Sequence, residues 1–317
     1  MSANHWYEFL TSSWVLAALA LLLERWLPWP EQWHPLAIFR LFANYLQYKV
    51  NKPGYAANQQ QVAGWLALIT LLVLSLTPTA IVIYAAEFSQ IIGALVLLAC
   101  LRQSNYLKTL DKVHRLATKR QKGAARAWLA RIDYRDTHEL SLHGLAKSTL
   151  ELRALSILHH RMVPISAFLI GGPILCLGLR LVTELSQLWP TEQRRYRHFG
   201  LATRAAYAMT VCWVTAVVAL LASALCVVKP CRKRLSLQAT QGWLWTTGWW
   251  LDSLSRLHNV SLGGPIKTQG VRIARQRFPG RPAEQVWQAA AAAIMRWQWL
   301  PTIIVTTGIV LSYIYRP

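Results

Sequence analysis

The sequence contains few charged residues and very few acidic ones. Charged side chains make up 15% of the 317 residues and hydrophobic ones 54%, whereas an ordinary soluble domain is roughly 25% charged. Only 13 residues are Asp or Glu, against 34 Lys and Arg, which gives a formal net charge of +21. This composition argues against a soluble globular domain and favours a membrane protein.

Two common signatures of ligand sites are also missing. The five cysteines lie in or beside apolar stretches, and no two of them form a Cys-x-x-Cys pair. This arrangement argues against a cysteine-based metal site or a disulfide framework. The sequence also contains no P-loop, so any ATP site must be built in another way.

Long apolar windows indicate the fold class. Five of them approach the roughly 20 residues that a membrane-spanning helix needs: 14–30, 62–86, 155–179, 205–228 and 299–315. A sixth window, 88–101, is short and is expected to form a tight helical hairpin with 62–86. The sequence therefore predicts an all-α, polytopic integral membrane protein with five or six apolar helices, forming a single membrane-embedded domain over residues 1–317.

The basic residues predict an orientation. Segment 102–154 holds twelve Lys and Arg against five Asp and Glu, and segment 229–298 holds eleven against two. Positively charged loops stay on the cytoplasmic side, so we expect both segments, together with 31–61, to be cytoplasmic amphipathic helices and loops. This requires 155–179 and 205–228 to cross out and back, which places the five arginines of 180–204 on the opposite side. The excess of basic residues is then explained by their location on the cytoplasmic side and by attraction to anionic lipid headgroups, rather than by binding to nucleic acid.

The most polar short segment is "RIDYRDTHEL", residues 131–140. One interpretation is a solvated helix start capped by Asp136 or Thr137. The other is a ligand site in which Arg135 binds an anionic group and Asp136 holds magnesium or orients an amine. The residues by themselves leave both open.

Two Gly-Gly-Pro runs and a pair of histidines each allow a structural and a functional interpretation. The runs at 168–175 and 261–270 are either turns or helix breaks, or loops whose N–H groups bind a phosphate, and Lys267 lies close to the second. His159 and His160 lie at the edge of an apolar window. They belong either to the membrane interface or to a buried functional site.

Several motifs, in order, resemble the CobD/CbiB family of adenosylcobinamide-phosphate synthases. The family's Gly-Arg-Asp-Thr is similar to residues 134–137, and its Lys-Tyr-Arg-x-x-Gly is similar to residues 195–200. The family's Leu-Gly-Gly-Pro is similar to residues 262–265. A family glutamate and an early His-Pro correspond to Glu151 and to His34 with Pro35. The resemblance covers about residues 14–315.

The departures from the family pattern remove acidic residues. Residues 155–160 read "LSILHH" where the family has Glu-Asn-Thr-x-Asp-Gly, and residues 183–187 read "TELSQ" where it has Asn-Thr-Leu-Asp-Ser. Glu184 and His159 are the local substitutes that remain. Tyr134 replaces the glycine of Gly-Arg-Asp-Thr.

The resemblance implies a function in cobalamin biosynthesis at the bacterial inner membrane. The implied reaction is ATP-dependent amide formation between adenosylcobyric acid, a corrinoid, and an amino-alcohol phosphate, with Mg²⁺. It implies catalytic roles for Arg135, Asp136, Thr137 and Glu151, with Asp136 and Glu151 as candidate metal ligands. Substrate and phosphate binding falls to His34, Arg197, Gly263, Gly264, Lys267 and Gly270. A related-looking protein, AmpE, suggests the alternative of a catalytically degenerate member with an accessory or regulatory role.

Overall fold

The structure is a computed structural model that describes residues 12–26, 34–101, 103–228 and 245–314. The described chain is mostly helical and contains only two short strands, which confirms the all-α class. Thirteen α-helices occur in it: α1 Ser13–Trp26, α2 Pro35–Val50, α3 Ala57–Ala85, α4 Ser89–Cys100, α5 Gln103–Thr118, α6 Lys122–Leu129, α7 Leu142–Ile157, α8 Val163–Leu188, α9 Leu201–Thr210, α10 Cys212–Val228, α11 Trp245–His258, α12 Trp287–Met295 and α13 Leu300–Ile314.

Three shorter helices and one β-hairpin complete the described part. A π-helix, Leu158–Met162, joins α7 to α8, and 3₁₀ turns occupy Arg194–Tyr196 and Arg296–Trp299. Strands β1, Ile266–Thr268, and β2, Val271–Ile273, pair antiparallel. The "LGGP" segment, expected as loop, therefore leads into a small hairpin.

Three helical segments in the described part are long and apolar enough to cross a membrane. They are Ala57–Ala85, Leu142–Leu188 and Trp287–Ile314, and Ser89–Cys100 is a shorter apolar helix. Helix α1 has 14 residues, or about 21 Å at 1.5 Å per residue, against a hydrocarbon core of about 30 Å. The membrane character of the sequence is thus supported, whereas a count of five or six spanning helices is not.

The second of these segments folds back on itself at Gly171 and Gly172. Both residues have non-helical torsion angles, and Gly172 has φ 71° and ψ −166°. Arg180 Nη2 lies 2.8 Å from His160 Nδ1, although an uninterrupted helix would separate these residues by about 30 Å. The chain therefore forms a helical hairpin: one arm runs from α7 through the π-helix to residue 170, and the second arm is residues 173–188.

This reversal corrects the orientation predicted from 155–179 as a single crossing. Arg194 N donates to Gln269 Oε1 over 3.2 Å, and Asn51 Nδ2 donates to the Arg195 carbonyl over 3.0 Å. The loop after α8 consequently lies beside residue 51 and the β-hairpin, not on the opposite side from them. Arg194, Arg195 and Arg197 of this loop therefore lie beside the end of α2 and the β-hairpin, whereas Arg180 is buried in α8.

Two buried apolar clusters hold this arrangement together. The larger packs α1, α4 and the amphipathic helices α5 and α6 around α7 and the first arm of α8. The smaller packs α2 and α3 against the second arm, through residues such as Leu68, Leu185 and Trp189. At the apex, a Cβ added to Gly93 would lie 3.3 Å from Pro173 Cγ, so α4 closes tightly over the turn.

We expect Gly172→Ala to destabilise the protein by about 1–3 kcal/mol, because its φ and ψ fall in a region that is essentially restricted to glycine. A Cβ at this position would meet no atom within 4 Å, so the cost comes from the backbone and not from a clash. The measurement is the thermal unfolding midpoint of the detergent-purified protein.

The matched control is Gly123→Ala in helix α6, where an added Cβ also meets nothing within 4 Å. Since alanine is favoured over glycine inside a helix by up to about 1 kcal/mol, this variant should be neutral or stabilised. Equal midpoints for the two variants would argue against the turn at Gly172.

Candidate active site

Arg135 lies at the centre of a buried cluster of charges. Its Nη1 is 2.7 Å from Glu151 Oε2, and its Nε is 3.4 Å from Asp133 Oδ1. Ser148 Oγ accepts a further hydrogen bond from Nη1 over 3.3 Å. Glu151 and Ser148 project from α7, and Arg135 belongs to the non-helical segment that precedes this helix. Helix α7 is capped by Ser141, whose Oγ accepts from Gly144 N, and not by Asp136 or Thr137 as one interpretation held.

Glu151 is the residue on which the cluster converges. Its Oε1 accepts a 2.6 Å hydrogen bond from Gly263 N, and Arg275 Nη2 lies 3.8 Å from Oε2. Gly263 has φ 70°, and a Cβ there would lie 2.5 Å from the Gln276 carbonyl oxygen. Glycine is therefore required to bring this N–H to the carboxylate. The second Gly-Gly-Pro run presents its N–H to a protein carboxylate.

Asp136 clamps the β-hairpin. Its N–H donates to the Lys267 carbonyl over 2.9 Å, and its two carboxylate oxygens accept from Gln269 N at 3.0 Å and Gly270 N at 2.8 Å. Gln269 and Gly270 both have positive φ, so the carboxylate stabilises a tight turn. Lys267 pairs with Glu139 at 2.8 Å on the exposed face.

Burial and neighbouring charges set the protonation states of this cluster. Burial raises the pKa of Asp133, although the Arg135 guanidinium partly offsets this. Burial alone would lower the pKa of Arg135, but Asp133 and Glu151 raise it above its ordinary value, so the guanidinium remains charged. Burial and the proximity of Arg135 lower the pKa of Arg275. Burial raises the pKa of Tyr134 to about 12, so its phenol is neutral at physiological pH.

A second ionic cluster lies between the two arms of the helical hairpin. Glu184 pairs with Arg180 one turn earlier on α8 and accepts two hydrogen bonds from Arg40 of α2, at 2.8 Å and 2.6 Å. Arg180 also contacts His160 of the π-helix, whose ring packs 5.2 Å from that of Tyr106. Glu184 and Arg180 are fully buried. Because ionised side chains at membrane depth are costly, their presence indicates a functional role for this network.

His159 extends this cluster towards α9. Its Nδ1 lies 3.1 Å from Gln187 Nε2, and its Nε2 lies 2.6 Å from the Tyr207 hydroxyl. Because an amide nitrogen only donates, Nδ1 accepts, and the neutral ring then carries its proton on Nε2. The two histidines are therefore interior residues and do not lie at the edge of the structure.

A cavity of about 470 Å³ joins the two ionic clusters. Asp133 and Tyr134 line it on one side, and Arg40, His160 and Glu184 line it on the other. Tyr134 does not have a positive φ, so it occupies the position of the family glycine with ordinary backbone geometry, and it is one of the residues that line the cavity. The volume of the cavity is within the range of small-molecule sites.

The structure brings together only part of the predicted site. Arg135, Glu151 and Gly263 form one contact group, and Asp136, Lys267 and Gly270 form the adjacent hairpin clamp. Thr137 is buried at 2% exposure, and a Cβ on Gly264 would lie 3.4 Å from Lys147 Nζ. His34 instead caps α2, where its Nδ1 accepts from Leu36 N, and Arg197 lines a separate surface groove.

Sequence reasoning assigned no role to Arg40, Arg180 or Tyr106. Arg180 and Glu184 are spaced one helical turn apart beside an apolar window, which is a recognisable signal of an intramembrane ion pair. Arg40 and Tyr106 carry no such signal, because their neighbours are set by how α2 and α5 pack on the hairpin.

The two candidate metal ligands, Asp136 and Glu151, do not lie in a preformed cluster of metal-binding side chains in the described part of the chain. Within residues 12–26, 34–101, 103–228 and 245–314, no group of three or more His, Cys, Asp or Glu is placed to hold a metal. The two candidate ligands are engaged elsewhere, Asp136 with two N–H groups and Glu151 with Arg135 and Gly263.

Comparison with known proteins decides the family. The family model described as CobD/Cbib protein matches residues 17–297, which is most of the chain. The chain belongs to the CobD/CbiB family. No solved structure matches it.

Two curated relatives of this CobD/CbiB protein carry the name "Cobalamin biosynthesis protein CobD". The one from Chromobacterium violaceum is 29% identical over 195 residues, covering 58% of this chain and 60% of the relative. The one from Halalkalibacterium halodurans is 25% identical over 273 residues, covering 82% of this chain and 84% of the relative. The first match thus spans less than two thirds of its relative.

The two segments that depart from the CobD/CbiB pattern face each other in the structure. Segment 155–160 contributes His159 and His160 from the first arm, and segment 183–187 contributes Glu184 and Gln187 from the second. His159 contacts Gln187 directly, and Arg180 bridges His160 to Glu184. The substitutions therefore form one connected unit at one wall of the cavity.

Proposed function

We propose that this protein acts in cobalamin biosynthesis at the bacterial inner membrane by joining adenosylcobyric acid to an amino-alcohol phosphate, such as aminopropanol phosphate, in an ATP-dependent amide linkage. Family membership and the names of the two relatives support the pathway. The observation that carries the site is the buried Arg135–Glu151–Gly263 group beside a cavity of about 470 Å³.

The size and charge of the cavity suit the smaller substrate. Arg40 and Arg131 line it as cations, and Asp133 and Glu184 line it as carboxylates. Because Arg40 is paired with Glu184, Arg131 is the cation proposed for the phosphate of the ligand and Asp133 the carboxylate proposed for its ammonium group. Burial raises the pKa of Asp133, which favours proton acceptance from that ammonium group. A corrin ring is too large for this space, so only its reacting carboxyl side arm would enter.

The proposed reaction needs a carboxyl group made electrophilic. Transfer of the terminal phosphoryl group of ATP to the carboxylate gives an acyl phosphate and ADP. The deprotonated amine then attacks the carbonyl carbon, and the C–O bond to phosphate breaks as the amide C–N bond forms. Cationic side chains stabilise the phosphate charge in both steps. Arg135, held in place by Asp133 and Glu151, positions the adjoining segment and keeps the wall of the cavity rigid.

Complementation tests the proposal directly. A bacterium lacking its own synthase and expressing this protein should grow when supplied with cobyric acid. Cobinamide serves as the control, since it enters after the missing step and should restore growth with or without the protein. Failure to grow on cobyric acid, with the protein present in the membrane and cobinamide effective, would rule out the synthase activity.

A second candidate is a family member that has lost catalysis and serves as a membrane accessory or regulatory protein, like AmpE. The observation that favours it is that both Asp136 carboxylate oxygens accept backbone hydrogen bonds, as expected of a purely structural residue. The absence of the family's acidic residues from 155–160 and of its aspartate from 183–187 also favours this candidate.

If the wild type supports growth, the variant Asp136→Ala tests whether Asp136 belongs to the site. If Asp136 belongs to the site, growth on cobyric acid should be lost, because the hairpin beside Arg135 loses its clamp. Glu139→Ala, which removes an exposed carboxylate from the same segment, should grow normally. Undiminished growth of Asp136→Ala at equal protein level would remove this residue from the site.

A further inference from the structure

A groove of about 1200 Å³ on the described part of the chain is lined by basic residues. Five lysines and arginines contribute to its walls, from the end of α2 and from the loop after α8: Lys49, Lys52, Arg194, Arg195 and Arg197. No carboxylate occurs among the described residues that line it. The Arg135 cluster, in contrast, balances each cation with a carboxylate.

The walls of the groove are fixed by hydrogen bonds between separate elements. Asn51 Nδ2 donates to the Arg195 carbonyl over 3.0 Å, which attaches the end of α2 to the loop. Arg194 N donates to Gln269 Oε1 over 3.2 Å, which attaches the loop to the β-hairpin. The backbone segments that carry the basic side chains are thus held next to one another.

Gln269 also connects the groove to the candidate active site. Its side chain accepts from the loop of the groove, while its own N–H donates to Asp136 Oδ1 over 3.0 Å. The groove and the Arg-Asp-Thr segment are therefore separated by a single residue of the hairpin turn. A ligand in the groove would lie directly beside the segment that carries Arg135.

A cleft lined by one sign of charge concentrates its field and attracts ions of opposite sign. Guanidinium groups bind phosphate oxygens through paired N–H donors, and lysines add point charges. Five cations correspond to a ligand with several negative charges, such as a polyphosphate, better than to the single charge of a phosphodiester lipid headgroup. The exposed Tyr48 ring in the same groove offers a flat apolar surface for a base.

We propose that this groove binds a soluble polyphosphate ligand of the nucleotide class. The binding itself is independent of the reaction. That the bound nucleotide is the ATP consumed in amide formation rests on the proposed function. The sequence contains no P-loop, whose glycine-rich turn would bind phosphate through backbone N–H groups. In the proposed site, lysine and arginine side chains would bind the phosphates instead.

Binding of tripolyphosphate and of ATP to the detergent-purified full-length protein tests the inference by calorimetry at low and high salt. The variant Lys52→Gln/Arg197→Gln should weaken both ligands by at least about tenfold per charge removed, since a hydrogen bond to a charged group contributes about 1.5 kcal/mol or more. Lys119→Gln/Lys122→Gln removes two exposed charges outside the groove and should leave both affinities unchanged.

Three results would overturn the inference. The first is that the wild type binds neither ligand at millimolar concentration, and the second is that the two double variants lose affinity equally. The third is that the groove variant loses only its binding to phosphatidylglycerol vesicles, which would identify a lipid site. Growth on cobyric acid is scored separately. Growth without polyphosphate binding would contradict the groove alone, whereas binding without growth would contradict the synthase alone.

Discussion

Replacing Glu151 with alanine is expected to destabilise the protein by about 3–5 kcal/mol, because removing one partner of a buried ion pair leaves the other charge without compensation. Arg135 and Arg275 both face this carboxylate, which is fully buried. The Gly263 N–H would lose its acceptor as well. The measurement is the thermal unfolding midpoint in detergent, with growth on cobyric acid as the functional readout.

Two further variants separate folding from function at this position. Glu151→Gln keeps an acceptor for Gly263 N–H but removes the charge, so it should accumulate at higher levels than Glu151→Ala and still fail to support growth. Glu139→Ala is the stability control: its carboxylate pairs with Lys267 at 75% side-chain exposure, and an exposed pair contributes at most about 1 kcal/mol. If Glu151→Ala unfolds at the same temperature as Glu139→Ala, the buried cluster does not exist as described.

The second large effect is expected at Glu184. Glu184→Ala removes the carboxylate that pairs with both Arg40 and Arg180 at the hairpin, and we expect a loss of about 3–5 kcal/mol for the same reason. The two arms of the hairpin should separate more easily, since Arg180 also contacts His160 across the turn. Unfolding temperature and the yield of protein from the membrane fraction measure this.

A double replacement tests whether charge compensation is the cause. The double variant Arg180→Met/Glu184→Leu removes both charges of the buried pair on α8. Because neither charge is then left without its partner, this variant should be less destabilised than Glu184→Ala. Glu192→Ala is the control, because Glu192 is partly exposed and lies 3.9 Å from Arg204, where we expect a change of no more than about 1 kcal/mol. A double variant less stable than Glu184→Ala would contradict this explanation.

The sequence predicted the candidate site only where the signal was local. Arg135, Glu151 and Gly263 were named from motifs, and they do meet, although Glu151 and Gly263 are 112 residues apart. The ion pairs of Arg135 and Arg275 with Glu151 could not be predicted. Such pairs depend on distances in the folded chain, and a sequence motif does not contain these distances. Arg275 follows β2 and lies close to Glu151 only because the β-hairpin packs on α7.

The orientation shows why a hydropathy pattern can be misread. Residues 155–179 have the length and composition of one crossing, and a window average does not register a reversal inside it. Two consecutive glycines before Pro173 supplied the signal, but such a run is compatible with a kink as well as with a full turn. The contact between His160 and Arg180 distinguishes these cases.

By itself, the sequence determined the all-α membrane class, the family and the identity of the residues around Arg135, because these depend on composition, apolar length and the order of motifs along the chain. Tertiary structure alone decided that α8 folds back and that Arg40 reaches Glu184. It also decided that five basic side chains line one groove. These features arise from contacts between residues distant in the chain, and their energies depend on burial and separation, which only the folded arrangement fixes.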